Sequence, residues 1–194
     1  MKKGKLIVIY GINRIGKTTQ TKKLIKYLRK KGYKAEYVKI PHYKLKPTGQ
    51  IINKILRRKK QTISEEEFQL LYVLNRLQFQ PILIKKLKKG INIISEDYVG
   101  TGLVWGSIKG ADYNWLKEIN KPLIKEDTAL LLDGKPFPKT EKKHIHEKNK
   151  KLMQKARKKH LQLAKEFKWI KINANQLKDK VFEDIKKEID KILS

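Results

Sequence analysis

The residues with the clearest chemical potential lie in segment 11–18. At the spacing G-x-x-x-x-G-K-[ST] this segment contains Gly11, Gly16, Lys17 and Thr18. Glycines at these positions let backbone N–H groups turn toward phosphate oxygens, and the helix that follows adds the positive end of its dipole. In such a loop the lysine reaches the β- and γ-phosphates, and the hydroxyl coordinates Mg²⁺. Segment 11–18, called the P-loop below, therefore predicts binding of a nucleoside triphosphate with Mg²⁺ as cofactor.

A pair of carboxylates follows a second apolar segment. Residues 91–95 read as a strand, and Glu96 and Asp97 come directly after it. Phosphate-transfer enzymes with a P-loop hold Mg²⁺ or its waters through a carboxylate at the end of a neighbouring strand. An exposed charged turn would have the same composition. The preceding strand favours the catalytic interpretation.

Two further stretches could form a pocket for a base or sugar. Segment 98–106 holds three glycines and two aromatic residues, a mixture that suits either close approach to a flat ligand or a tight turn leading to a core aromatic. Tyr72 and Arg76 are four residues apart and share one face of a predicted helix. Arg76 could bind a ligand, face solvent or pair with a core carboxylate, and these alternatives stay open.

The elements that must position these residues alternate along the chain. Five apolar segments predict strands, at 5–10, 35–40, 91–95, 128–132 and 168–173. Helical patterns lie at 17–31, after Pro47, from a capping box at Ser64 to Gly90 with a kink or break near Pro81, and at 112–120, 144–166 and 176–192. This alternation predicts a three-layer α/β/α fold of the P-loop NTPase type, with a five-stranded parallel sheet. The site then lies at the carboxyl ends of the strands.

The chain as a whole is predicted to be one domain, 1–194, with a mobile lid. The basic connection 133–143 follows a core strand and carries glycine and proline, so it is placed like a cover over bound phosphates. The lid is predicted at about 134–150.

Composition narrows the possible partners. The chain has 194 residues, a net charge of +29 and no cysteine, and 42 of its 48 basic residues are lysines spread along its length. Scattered lysine favours a solvated surface over a nucleic-acid face, because arginine is the preferred fork for specific phosphate recognition. No apolar run reaches the length of a membrane span, and the first strand leaves no room for a signal peptide. We therefore expect a soluble cytoplasmic protein that has no membrane partner and is unlikely to bind nucleic acid.

Four stretches, taken in order, resemble the thymidylate kinase family of nucleoside-monophosphate kinases. The family's G-x-D-x-x-G-K-[ST]-T-Q is met by residues 11–20, and its helix motif of an aromatic, two residues and Asn-Arg is met by residues 72–76. Its Asp-Arg-Tyr strand end lies over residues 96–98. The small-residue and aromatic pattern after that strand lies over Gly100, Gly102 and Trp105. The resemblance covers nearly the whole chain.

The resemblance implies roles for these residues. Tyr72 would stack on thymine and Arg76 would hydrogen-bond it, while Trp105 would pack against the sugar and Gly102 would allow close approach. The implied substrate contacts are Asn13, Pro41, Tyr72, Arg76, Asp97, Gly102 and Trp105. The implied ATP and phosphate contacts are Gly11, Ile12, Asn13, Arg14, Ile15, Gly16, Lys17, Thr18 and Thr19.

The resemblance also implies where the catalytic groups lie. Relatives with an arginine in the P-loop usually lack one in the lid, and this chain has Arg14 but no arginine within 134–156. Arg14 would therefore act on the γ-phosphate as an arginine finger supplied in cis. The implied catalytic residues are Lys17, Arg14, Glu96 and Asp97, and the implied metal ligands are Thr18 and Glu96.

Three positions depart from the family pattern. Asn13 stands where the family has aspartate, and Asp97 stands where it has an arginine on the acceptor phosphate. Tyr43 occupies the place of a second phosphate-binding arginine, and Lys44 or Lys46 could compensate. These changes are expected to affect the affinity for the acceptor nucleotide and which nucleotide serves as acceptor.

The expected reaction is transfer of the ATP γ-phosphate to dTMP, giving dTDP and ADP. Another nucleoside-monophosphate kinase on the same fold, or an ATP-dependent nucleic-acid-binding protein, remains an alternative. The family further suggests a homodimer that packs through the helices around residues 50–90.

Overall fold

The computed structural model describes residues 3–58, 62–137 and 150–193. Five parallel strands form one sheet in the order β2-β3-β1-β4-β5. The strands are β1 (Leu6–Tyr10), β2 (Ala35–Lys39), β3 (Asn92–Glu96), β4 (Thr128–Asp133) and β5 (Ile170–Asn173). The predicted five-stranded parallel sheet is therefore confirmed, with shifts of one or two residues at the strand ends.

Within the described ranges, seven helices connect and cover these strands. They are α1 (Lys17–Lys30), α2 (Thr48–Leu56), α3 (Glu65–Lys88), α4 (Val99–Ile108), α5 (Tyr113–Asn120), α6 (Lys150–Glu166) and α7 (Lys178–Leu193). The predicted capping box is present, because the Ser64 hydroxyl accepts from the Glu67 N–H and the Glu67 carboxylate accepts from the Ser64 N–H. A kink or a break is predicted near Pro81; helix α3 continues through Pro81, so the break does not occur. None of the helices in the described ranges is both long and apolar enough to cross a membrane.

The central strand explains why the site forms where it does. All five side chains of β1 are buried, because helices cover both faces of the sheet. In the parallel register Ile9 lies beside Glu96 of β3 and Tyr10 beside Leu131 of β4. The P-loop leaves the end of β1, so it starts directly beside the carboxylate pair.

Helix α4 is the main element that sequence patterns did not predict. Glycine is a poor helix former, and segment 98–106 contains three glycines. Close packing against neighbouring side chains requires two of these glycines. A Cβ on Gly100 would lie 2.4 Å from the Trp169 ring, and a Cβ on Gly106 would lie 2.8 Å from Leu116. The helix therefore forms because its small residues let it pack closely on its neighbours.

A buried aromatic pair fixes the start of α4. The rings of Tyr10 and Trp169 stack with their centroids 4.1 Å apart. The Tyr10 hydroxyl donates to Glu126 and accepts from the Gly100 N–H. Because Tyr10 also ends β1, this contact ties α4 to the strand that carries the P-loop.

Candidate nucleotide-binding site

One cavity of about 670 Å³ runs along the carboxyl ends of the strands, from the P-loop to α3 and α4. The cavity wall includes the predicted residues Asn13, Arg14, Gly16, Lys17, Thr18, Thr19, Pro41, Tyr72, Arg76, Glu96, Asp97, Gly102 and Trp105. Gly11, Ile12 and Ile15 lie behind this wall within the loop, where both isoleucines are buried. The structure thus gathers the predicted phosphate-binding and base-binding residues around one space.

The P-loop has the backbone geometry that its glycines predict. Gly11 and Gly16 have φ angles of 144° and 95°, and a Cβ on Gly11 would lie 2.7 Å from the Leu132 carbonyl oxygen. The ammonium group of Lys17 donates to the carbonyl oxygens of Gly11 and Ile12, at 2.9 and 3.2 Å. These bonds hold the lysine across the mouth of the loop.

Helix α1 begins without any side-chain cap. Its N-cap residue is Gly16, and its first turn contains no acidic residue. By contrast, Ser64 caps α3 and Asp112 caps α5. The first N–H groups of a helix need partners, and an anion satisfies them while also favouring the dipole. The start of α1 is therefore suited to receive phosphate oxygens.

Asp97 is held against the P-loop lysine. Its carboxylate lies 3.7 Å from the Lys17 ammonium and accepts a hydrogen bond of 2.9 Å from the Thr101 hydroxyl. Burial raises the pKa of Asp97 above its ordinary value, while the charge of Lys17 opposes that shift. Asp97 also adopts a φ of 66°, which is uncommon for a residue with a side chain.

The pKa of Glu96 is shifted in the opposite direction from that of Asp97. It accepts hydrogen bonds of 2.8 Å from Lys39 and from Tyr37, and the nearby Thr18 hydroxyl also lowers its pKa. Burial by itself would raise the pKa of Glu96. The bonds and the charge of Lys39 outweigh burial and hold that pKa below its usual range. Glu96 is therefore an ionised carboxylate beside the hydroxyl of Thr18.

The described start of the predicted lid lies on the P-loop. The Phe137 N–H donates to the Arg14 carbonyl oxygen at 2.9 Å, and the Phe137 ring approaches Gly16. Residues 138–149 of the predicted lid lie outside the described residues.

The other end of the cavity is built by α3 and α4. Arg76 is 3 % exposed, and its guanidinium donates to the Asn120 side chain at 2.9 Å. Its Nε atom is buried and has no partner among the described residues. Burial lowers the pKa of Arg76 to about 10, so the group stays cationic at neutral pH. Arg76 therefore does not face solvent. Within the described ranges no carboxylate forms an ion pair with it.

Asn75, the polar neighbour of Arg76, has a structural role. Its side chain accepts from the His42 N–H at 2.7 Å and donates to the Thr48 hydroxyl at 2.9 Å. These bonds attach the segment after β2 to α3. Pro41 is thereby held at the cavity wall.

Sequence reasoning missed several cavity residues, among them Lys39, Glu65, Gln69, Lys109 and Phe137. Helical spacing could have found two of them, because Gln69 lies three residues before Tyr72 and Glu65 lies four before Gln69. Lys39 gave no such signal, because its position depends on the register of β2 against β3.

The fold and this cavity define a nucleotide-binding protein of the P-loop α/β class. Residues 9–185 match the family model described as thymidylate kinase. The chain belongs to the thymidylate kinase family.

Individual relatives support this assignment. The chain is 33% identical to a thymidylate kinase of Danio rerio over 136 residues, which are 70% of this chain and 63% of that protein. It spans less than two thirds of the length of that relative. A thymidylate kinase of Plasmodium falciparum is 30% identical over 196 residues, covering 98% of this chain and 92% of the relative. A probable thymidylate kinase of Thermococcus onnurineus is 31% identical, with coverage of 92% and 94%.

A solved structure shows the same fold. The thymidylate kinase of Candida albicans superimposes with a TM-score of 0.83 over 97% of this chain and 92% of that chain, at 23% sequence identity.

Proposed function

We propose that the protein is a thymidylate kinase that transfers the γ-phosphate of ATP to dTMP, giving dTDP and ADP. The observation that carries this proposal is the single cavity that joins a phosphate-binding loop to a pocket with an aromatic ring and a buried arginine. The family relatives, several of them named thymidylate kinases over nearly their full length, support it. A cytoplasmic location is part of the proposal.

Catalysis in this proposal consists of positioning and charge neutralisation. The main-chain N–H groups of the P-loop and of the start of α1 bind the triphosphate together with Lys17. Arg14 neutralises the charge of the γ-phosphate during its transfer. Asn13 and Thr19 contact the phosphates from the same loop. Tyr72 stacks on the base, Arg76 donates to it, and Trp105 and Gly102 shape the sugar side. No protein nucleophile is needed, because phosphoryl transfer depends on in-line placement and electrostatic stabilisation.

The residues present also fit a magnesium ion. Mg²⁺ takes oxygen ligands and keeps several waters, so one or two protein oxygens are sufficient. Thr18 and the ionised Glu96 lie on the same cavity wall at the edge of the P-loop and are the residues that would hold it. The ion would supply charge neutralisation for the β- and γ-oxygens. Asp97, held by Lys17 and Thr101, would orient its water shell or the acceptor.

Lys39 is our candidate for the cation that binds the acceptor phosphate. Between the P-loop and the base pocket the described cavity wall carries two carboxylates, Glu96 and Asp97, and Lys39, which lies outside the P-loop, forms an ion pair with Glu96. Neither Lys44 nor Lys46 lies on this wall. A dianionic phosphate needs a cation there, because Asp97 replaces the family's arginine.

A screen of phosphate acceptors tests the proposed function directly. With ATP and Mg²⁺, we expect dTMP to be the best acceptor among the common ribo- and deoxynucleoside monophosphates, measured as ADP release and as diphosphate product. Preference for another monophosphate would indicate the related kinase. ATP hydrolysis that rises only with polynucleotide would indicate a nucleic-acid-dependent ATPase instead.

Lys17→Ala tests the P-loop assignment. The ammonium group is expected to stabilise charge that develops in the transition state, so its removal should lower kcat by at least about 100-fold. Lys22→Ala, an exposed lysine on the same helix, is the matched control and should keep normal turnover. Near-normal activity of Lys17→Ala would refute the assignment.

Lys39→Met tests the acceptor-phosphate cation. Loss of one charge-assisted bond should raise the KM for dTMP by about 10-fold to 100-fold, whereas the KM for ATP changes little. Lys39→Arg should recover most of the affinity, because it keeps the charge. Lys44→Met controls for the loss of general positive charge. Equal changes in the two KM values would remove Lys39 from the acceptor site.

A homodimer is also part of the proposal. Helices α2 and α3 expose the apolar side chains of Ile51, Leu70, Leu74 and Ile82, each more than 40 % exposed, and on α3 Leu70 precedes Leu74 by four residues and Leu74 precedes Ile82 by eight. Large apolar side chains exposed on these two helices favour association with a second copy.

Leu74→Glu tests this interface. A charge placed in the centre of an apolar contact costs several kcal/mol, so the variant should sediment as a monomer at micromolar concentration while the wild type sediments as a dimer. Leu177→Glu, at a site 83 % exposed on another part of the chain, should leave the dimer intact. A wild-type chain that remains monomeric at high concentration would exclude the interface.

A further inference from the structure

Gln69 is a buried amide with half of its hydrogen-bonding capacity unused. The residue is 1 % exposed and contributes to the wall of the cavity beside Tyr72 and Arg76. Its NH₂ group donates to the Glu65 carboxylate at 2.7 Å. Its amide oxygen is buried and has no partner among the described residues. Buried polar atoms are nearly always satisfied, so an unpaired acceptor at a ligand pocket points to a donor on the ligand.

The orientation of this amide is fixed by chemistry. An ionised carboxylate can only accept hydrogen bonds, so the NH₂ side of Gln69 must face Glu65. Glu65 is itself held by the Lys109 ammonium at 3.1 Å. The amide therefore cannot rotate without losing its bond to Glu65, and its oxygen stays on the opposite side.

The oxygen of Gln69 and the guanidinium of Arg76 converge on one point. The position that a Cβ on Gly102 would occupy lies 3.1 Å from Gln69 Oε1, 3.4 Å from Arg76 Nη2 and 3.6 Å from Arg76 Nη1. Glycine at residue 102 leaves this point open. The pocket therefore presents one acceptor and one donor side by side.

We propose that Gln69 selects the base of the acceptor nucleotide, by accepting the N3–H of a pyrimidine whose 4-carbonyl accepts from Arg76. This inference rests on the proposed function and extends it to the choice of base. Thymine and uracil carry that N–H beside that carbonyl. Cytosine carries an unprotonated N3 and a 4-amino group, so an acceptor would face Gln69 and a donor would face Arg76.

Glu65 and Lys109 act as positioning residues in this arrangement. They do not need to contact the ligand, because their effect is to keep the amide in the orientation that rejects cytosine. A site built to pair with a substrate N–H discriminates strongly against analogues that lack it, since its own buried groups are then left unpaired.

The test pairs one change on the ligand with one on the protein. N3-methyl-dTMP lacks the N–H but keeps both carbonyls, and kcat/KM is measured for it and for dTMP. In the wild type we expect the methyl group to lower kcat/KM by about 100-fold or more. In Gln69→Ala, which removes the acceptor and leaves room for the methyl group, the ratio should fall below about 10. The KM for ATP serves as an internal control for folding.

A second variant tests the orientation without altering Gln69. In Glu65→Gln the new amide can either donate or accept, so Gln69 can rotate and present its NH₂ group to N3 of cytosine. The preference for dTMP over dCMP should then fall by about 10-fold. Glu66→Gln removes the same charge from the same helical turn at an exposed position and should leave the preference unchanged.

The outcomes separate this inference from the proposed function. If dTMP is a good substrate but its N3-methyl penalty is the same in wild type and Gln69→Ala, the role of Gln69 is refuted and the kinase assignment stands. An unchanged preference in Glu65→Gln refutes the orientation by Glu65. If the wild type does not phosphorylate dTMP, the proposed function fails and this inference fails with it.

Discussion

The parallel pairing of β1 with β3 is the constraint on which the site depends. It places Ile9, one residue before the end of β1, beside Glu96 at the end of β3. The P-loop and the carboxylate pair must then share one edge of the sheet. A shift of this register by one residue would turn Glu96 to the opposite face, because side chains alternate along a strand. Burial of β1 on both faces opposes such a shift, since any other register would disturb its packing.

The charges at this edge form a compensated set. Two adjacent carboxylates are costly to bury, and each has a lysine from a different element: Lys39 on Glu96 and Lys17 on Asp97. The two carboxylates nevertheless differ, because the hydrogen bonds to Glu96 lower its pKa whereas burial raises that of Asp97. In the proposed function, the nucleotide phosphates would compete with these carboxylates for both lysines. Nucleotide binding would then rearrange both ion pairs.

The sequence predicts the parts of this protein that are encoded locally. The P-loop is recognisable because its glycines and lysine are neighbours in the chain, and the strands are recognisable because apolar runs alternate with helical periodicity. Helix α4 could not be predicted from propensity, because the benefit of Gly100 and Gly106 comes from contacts with Trp169 and Leu116, which are distant in the chain. The place of Lys39 on the cavity wall could not be predicted for a similar reason. Its place beside Glu96 follows from the pairing of β2 with β3, which no local pattern reveals.

At the base end of the cavity, some buried polar groups lack hydrogen-bond partners within the part of the chain that the structure describes. The Nε atom of Arg76 and the amide oxygen of Gln69 are buried without partners in the described structure. Each unpaired group costs about 1–3 kcal/mol relative to a satisfied one. A protein of ordinary stability can carry this cost only where the fold is otherwise well packed, and here the Tyr10–Trp169 stack and the closely packed α4 meet that condition. Under the base recognition proposed above, a base that donates to Gln69 Oε1 would remove the part of this cost that comes from Gln69, so an atom that lowers the stability of the free protein would raise its affinity for that base.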